Sequence, residues 1–214
     1  EDVRARMEVL TEMPGEWRSA PKRWTRFNAA KKTSVHGTMA PDSNDEYLFY
    51  QTLMGAWPAA PVTESEMESF RARIMAYMLK ATKEAKVHTN WINPDEEYHG
   101  AVQRFVHEVL TQGKRNRFLK HFQTLQQRVT AYGWINALAQ LLLKLTCPGV
   151  PDIYQGSELW NLSLVDPDNR RPVDYDHRRA LLNDLKQQLR VAGQDFTALT
   201  RQVLDAPEEG RVKH

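Results

Sequence analysis

A mainly α-helical chain with at most a few short strands is predicted by three features of the sequence. Apolar residues recur at three- and four-residue steps through most of the first two thirds. Three small-polar/acidic clusters stand at the expected starts of such stretches. Only one short run, Val150–Tyr154, is apolar and bounded by turn residues in the manner of a buried strand.

The elements follow in order. Val3, Met7 and Leu10 share one helical face, and Met13-Pro14-Gly15 should stop that helix. Trp17, Ala20, Trp24 and Phe27 form the next apolar stripe, with Pro21 warning of a break or kink. Residues Lys31–Pro41 read as a loop. Capping boxes at Ser43-Asn44-Asp45-Glu46 and Thr63-Glu64-Ser65-Glu66, and a third start at Asn93-Pro94-Asp95-Glu96, open three helices. Phe118, Phe122, Leu125 and Val129 mark another helix, which Gly133 should break. Trp134–Leu145 is apolar on nearly all sides, so it is expected to be central and covered on several faces. Two further helices, capped near Asp176 and Asp195, close the chain.

Composition excludes several classes of function. The 214 residues carry 29 basic and 27 acidic side chains, a net charge of +2, which gives no pull toward nucleic acid or a membrane surface. No stretch has the length and character of a membrane span. The basic residues of Arg18–Lys32 surround Trp24 and Phe27, but read best as the solvated side of a helix with a buried aromatic face. The single cysteine, Cys147, lies in an apolar run and is expected to be a buried, inert thiol in a reduced, cytoplasmic setting. His107-Glu108 begins like a helical zinc motif, but Thr111 stands where the second histidine belongs, so no metal is expected. Neither a phosphate-cradling glycine loop nor a serine elbow is present.

The chemistry concentrates in Pro148–Asp174, PGVPDIYQGSELWNLSLVDPDNRRPVD. Asp152, Glu158, Asp166, Asp168, Asp174, Gln155 and Asn169 offer carboxylates and amides that can hold sugar hydroxyls in fixed geometry. Tyr154 and Trp160 offer rings for the C–H face of a pyranose. The same residues also read as a rigid turn, with Asp166-Pro167-Asp168-Asn169 as turn chemistry and Arg170 and Arg171 as its pins. Asp152 and Glu158 lie on a strand-to-loop path whose spacing fixes no catalytic separation.

This segment resembles the eighth-strand region of the α-amylase superfamily, through G-x-P-x-x-Y-x-G-x-E at Gly149–Glu158 and the D-P-D-N-R-R-P run at Asp166–Pro172. Together with Asn44–Tyr47, Leu53–Pro58 and Lys83–Pro94, it is similar to the maltooligosyltrehalose synthase family over nearly the whole chain. The resemblance implies a helical insertion subdomain at 1–146. At 147–214 it implies the remnant of a (β/α)8 barrel, with strand eight, its active-site loop and the following helices. It also implies intramolecular transglucosylation, in which the reducing-end α-1,4 link of a maltooligosaccharide becomes an α,α-1,1 link. Retaining chemistry of this kind uses an aspartate nucleophile and a glutamate acid/base. By the same resemblance the chain begins just after the third catalytic carboxylate, so no catalytic residue is assigned here and the isolated chain is expected to be inactive. No metal or organic cofactor is implied. Tyr154, Gln155, Glu158, Asp168, Asn169, Arg170 and Arg171 are expected to line or brace the sugar site. A strand edge without its neighbours would favour self-association. The alternatives are a segment of another α-amylase-superfamily glucan hydrolase, or a non-enzymatic helical binding module.

Overall fold

The computed structural model describes residues 1–60, 63–111, 113, 116–193 and 195–213. It is mainly α, with eight α-helices and two short strands among the described residues. The helices are α1 (Asp2–Val9), α2 (Pro14–Asn28), α3 (Ser43–Ala56), α4 (Glu64–Ala85), α5 (Glu96–Leu110), α6 (Arg117–Thr146), α7 (Tyr175–Ala192) and α8 (Thr197–Asp205). The strands β1 (Thr33–Val35) and β2 (Thr38–Ala40) form one antiparallel hairpin, with Thr33 opposite Ala40 and Val35 opposite Thr38.

That hairpin replaces the loop expected at Lys31–Pro41. The turn residues His36 and Gly37 both have positive φ, 49° and 82°. Two such residues give the tight turn whose twist matches paired strands. Strands of three residues are too short to show a period in sequence.

Helix starts match the predicted regions but shift within them. Thr63 caps α4 with the full reciprocal box to Glu66. At α3 the cap is Asp42, not Ser43; its carboxylate accepts from the N–H groups of Asn44 and Asp45. At α5 it is Asp95, which accepts from Tyr98 N–H, so Asn93 and Pro94 lie outside the helix. A carboxylate is the stronger acceptor and also faces the positive helix end. Pro14 opens α2 rather than merely ending α1. Pro21 sits inside α2 without ending it, on the buried stripe with Ala20, Trp24 and Asn28.

Gly133 does not break α6, which runs unbroken for 30 residues. The glycine serves close approach instead. A Cβ there would lie 2.6 Å from Arg6 Cγ and 3.1 Å from Arg6 Cα. Gly55 of α3 plays the same part on the other side, where a Cβ would lie 2.6 Å from Val3 Cγ1. Helix α1 therefore wedges between α3 and α6 across two glycines.

The core is aromatic. Trp24 is fully buried among Trp17, Tyr50, Phe118 and Phe122, with ring centroids 5.2–5.9 Å away. The first half of α6 contributes Phe118, Phe122, Leu125 and Val129 to that core. Its second half departs from the expected central position. Ile135, Leu142, Leu143 and Leu145 are each 60–64% exposed, and among the described residues nothing covers them. That half is packed toward α1 through Gly133 and Ala137, and Trp134 stacks on Trp160 at 6.0 Å.

Two further expectations are corrected. Cys147 is exposed, because the apolar run that surrounds it in sequence is itself exposed. Val150–Tyr154 is irregular rather than a strand, and Val150 is 98% exposed. An isolated extended segment has no ladder to hold it.

Candidate functional site

Between α6 and α7 the chain crosses Cys147–Asp174 with only a short 3-10 turn at Asp168–Arg170. The segment is held by ion pairs to the helices on either side. Asp168 is the hub. Its carboxylate lies 2.8 Å from Arg73 Nε of α4 and 3.2 Å from Arg171 Nε, and it accepts from Leu164 N–H at 2.6 Å. Arg73 Nε and Asp168 Oδ1 are both buried and close, yet off the hydrogen-bond line. Their attraction is therefore mainly between charges. Arg73 Nη2 also donates to Leu162 O at 2.6 Å, and Lys80 Nζ donates to Asp166 O. Arg73 and Lys80 stand seven residues apart, two turns of one helix face, so α4 offers the loop a cationic rail. Burial lowers the Arg73 guanidinium from its ordinary value, while Asp168 pulls it back up.

The other end is tied to α7. Glu158 pairs with Arg178 at 3.1 Å, and Arg178 Nη2 donates to Gly156 O at 2.9 Å. Gly156 has φ +83°, and a Cβ there would lie 3.2 Å from Val173 Cγ2. The turn at this position thus suits glycine alone. Tyr175 Oη lies 3.4 Å from Gln155 Oε1.

The seven residues singled out in the sequence divide by role. Tyr154 and Asn169 face a cavity of about 190 Å³, shared with Asp2, Ser157, Asn161 and Lys213. Asn169 Oδ1 itself is buried without a hydrogen-bond partner. Asp2 Oδ2 accepts from Asn161 N–H at 2.6 Å and pairs with Lys213 at 3.1 Å, so the cavity has charge on one wall. Asp168, Arg171 and Glu158 brace; Arg171 Nη2 also reaches Ser163 Oγ at 3.1 Å. Arg170 pairs with Asp166 at 2.8 Å on the exposed side. Gln155 touches only Tyr175 among the described hydrogen bonds. Arg73, Lys80 and Arg178 went unnoticed in the sequence. A cation on a helix reads as solvated surface until the loop that it meets is known.

Removing the hub should loosen the loop alone. Asp168→Ala is expected to raise amide exchange across residues 161–171 about tenfold, roughly 1–2 kcal/mol of local opening. Hydrogen exchange followed by mass spectrometry reads this directly. Unchanged exchange would show that the loop is held by other contacts.

A second cluster joins Asp42, Asp45 and His88, with one ligand-capable atom from each within 4.8 Å of the others. Its atoms are already partnered. His88 Nε2 meets Asp42 Oδ2 at 2.8 Å, and Tyr98 Oη donates to Asp45 Oδ2 at 2.5 Å. Burial raises the Asp45 carboxyl above 3.8, with Tyr98 opposing. The folded state therefore binds the Asp45 proton more tightly than the unfolded chain, and stability is lost as pH rises through the folded pKa. Asp45→Asn is expected to flatten the pH dependence of stability just above 3.8, as read by urea midpoints across pH.

No family model matches the chain. Two curated relatives from strains of Mycobacterium tuberculosis, named maltooligosyl trehalose synthase, are 39% identical over 186 residues, 87% of this chain. The chain resembles one segment of the maltooligosyl trehalose synthases. It spans 22% of the length of those relatives. A crystal structure of a maltooligosyl trehalose synthase matches all of this chain and 26% of its own, at 31% identity and a TM-score of 0.79. The maltooligosyltrehalose synthase of Arthrobacter ramosus matches 88% of this chain and 22% of its own, at 36% identity and a TM-score of 0.66. The likeness to the first maltooligosyl trehalose synthase structure covers every element, so α4 and the loop that it pins both fall inside the shared fold.

Proposed function

We propose that this chain is one part of a trehalose-forming enzyme. The enzyme converts the reducing-end α-1,4 link of maltooligosaccharides to an α,α-1,1 link by intramolecular transglucosylation, in a cytoplasmic setting. The observation that carries the proposal is the match to maltooligosyl trehalose synthases along the whole chain, loop included. In this reading residues 1–146 are a helical subdomain and 147–214 are the end of the catalytic barrel. The site residues act in two ways. Tyr154 and Asn169 meet sugar from the cavity wall, the one through its ring and the other through its side-chain amide. Asp168, Arg171 and Glu158, with Gln155 and Arg170, fix the loop that presents them. The catalytic carboxylates come from the remainder of the enzyme, and no cofactor is required. The exposed apolar stripe of α6 is the face that the remainder covers, and in the isolated chain it drives self-association.

Maltohexaose and a reducing-end assay test the proposal. The 214-residue chain alone is expected to leave reducing ends unchanged. Carried within a full-length synthase, it is expected to support their steady loss, and Asn169→Ala to lower kcat/KM about tenfold for one lost polar contact to sugar. Loss of reducing ends by the isolated chain would overturn the absence of catalytic groups. A gain in reducing ends by the full-length protein would identify a glucan hydrolase instead.

A further inference from the structure

Helix α4 meets the pinned loop along a groove of about 390 Å³, lined by Tyr77, Lys80, Lys83, Trp91, Val165 and Asp166 among others. That volume lies within the roughly 300–1,000 Å³ range of small-molecule sites. Trp91 is 60% exposed, although an indole is large and apolar. It is also held in place. Lys83 Nζ lies 4.9 Å from its ring centroid. The turn that carries it is fixed by Asn90, whose Oδ1 accepts from the N–H groups of Ile92 and Asn93 at 2.9 and 2.7 Å. An ordered, open indole beside a groove is a surface prepared for a second partner.

Charge narrows the choice of partner. The cations of the groove are already engaged: Arg73 with Asp168, Lys80 with Asp166 O and Glu84, and Lys83 with the indole. An anionic ligand would compete with Asp168 and Glu84 for Arg73 and Lys80, and a cationic ligand would meet Lys80 and Lys83 themselves. A neutral ligand with one apolar face and many hydroxyls meets neither obstacle. Its C–H face can lie on Trp91 and Tyr77, and its hydroxyls can reach Lys80 and the Asp166 carboxylate.

We propose that this groove is an accessory α-1,4-glucan subsite on the helical part of the chain, with Trp91 as its platform. The inference rests on the glucan reading above and adds a second place where the chain meets substrate. The same loop that presents Tyr154 and Asn169 supplies Val165 and Asp166 to this groove, so one pinned segment serves both.

The test is a titration of the 214-residue chain with maltotriose, followed in wild type by the Trp91 indole N–H resonance, which is assigned by its loss in Trp91→Ala, and in wild type and both variants by calorimetry. A saturating shift of that resonance is expected, with affinity about tenfold weaker in Trp91→Ala and partly kept in Trp91→Phe. Maltotriose binding that is equal in wild type and Trp91→Ala would overturn the subsite and leave the glucan reading standing. Absence of any binding would overturn it too, while the reducing-end assay on the full-length enzyme decides the glucan reading separately. An equal response to cellotriose would overturn the α-1,4 assignment.

Discussion

Trp24→Ala is expected to cost about 3–5 kcal/mol, the usual range for truncating a fully buried large aromatic. Trp24 is at 0% exposure and touches rings from α2, α3 and α6 at once. Collapse around the void would need three helices to move together. Its indole N–H also donates to His121 Nδ1 at 3.0 Å, and the variant leaves that nitrogen without its donor. Urea unfolding at neutral pH measures the loss. A cost below about 1 kcal/mol would mean that the helices can close the space. The surroundings of His121 also give the protein an acid limit. Burial, then the charge of Arg23, lowers the His121 pKa below 6.5. Below 6.5 the unfolded chain takes up a proton that the folded chain holds less tightly, so stability falls as pH falls.

Arg6→Ala is the second large effect, about 3–5 kcal/mol. Arg6 is 1% exposed, and its Nη1 donates to Gly55 O and Trp57 O at 3.1 and 2.5 Å. These carbonyls end α3, where a helix carries partial negative charge and free acceptors. Burial lowers the guanidinium to about 10, with Asp2 opposing, so it stays charged at neutral pH. Alanine leaves two buried acceptors bare and a hollow against Gly133. Arg6→Met separates the causes: it refills much of the volume but restores neither hydrogen bond, so most of the loss should remain. Gly133→Ala attacks the same contact from α6 and should cost about 1–3 kcal/mol, because the new methyl meets the Arg6 backbone. Full stability in Gly133→Ala would show that α1 can shift away.

The helices were legible in the sequence because period and cap agree locally. Met67, Phe70, Ile74 and Met78 are buried on α4, and Thr63 and Glu66 form the box expected of them. Glycine was misread for the opposite reason. Gly133 as a breaker is a statement about one helix, whereas its role here depends on α1, more than a hundred residues away in sequence. The apolar run Trp134–Leu145 carries a real signal of burial, but among the described residues its cover is absent. The loop residues were found as a composition of polar and aromatic groups. Their division into brace and wall needed Arg73, Lys80 and Arg178, which only the folded chain brings to them.

Cys147 follows directly on the 30-residue α6, so it sits at the tip of a rod about 45 Å long. As the chain has one cysteine, any disulfide it forms must join two molecules. Oxidation would then splice two such rods end to end, each beside its own oily flank at Leu142, Leu143 and Leu145. A thiol-reactive dye at the same tip would give one label per molecule, placed where a body docking on that flank would change its environment.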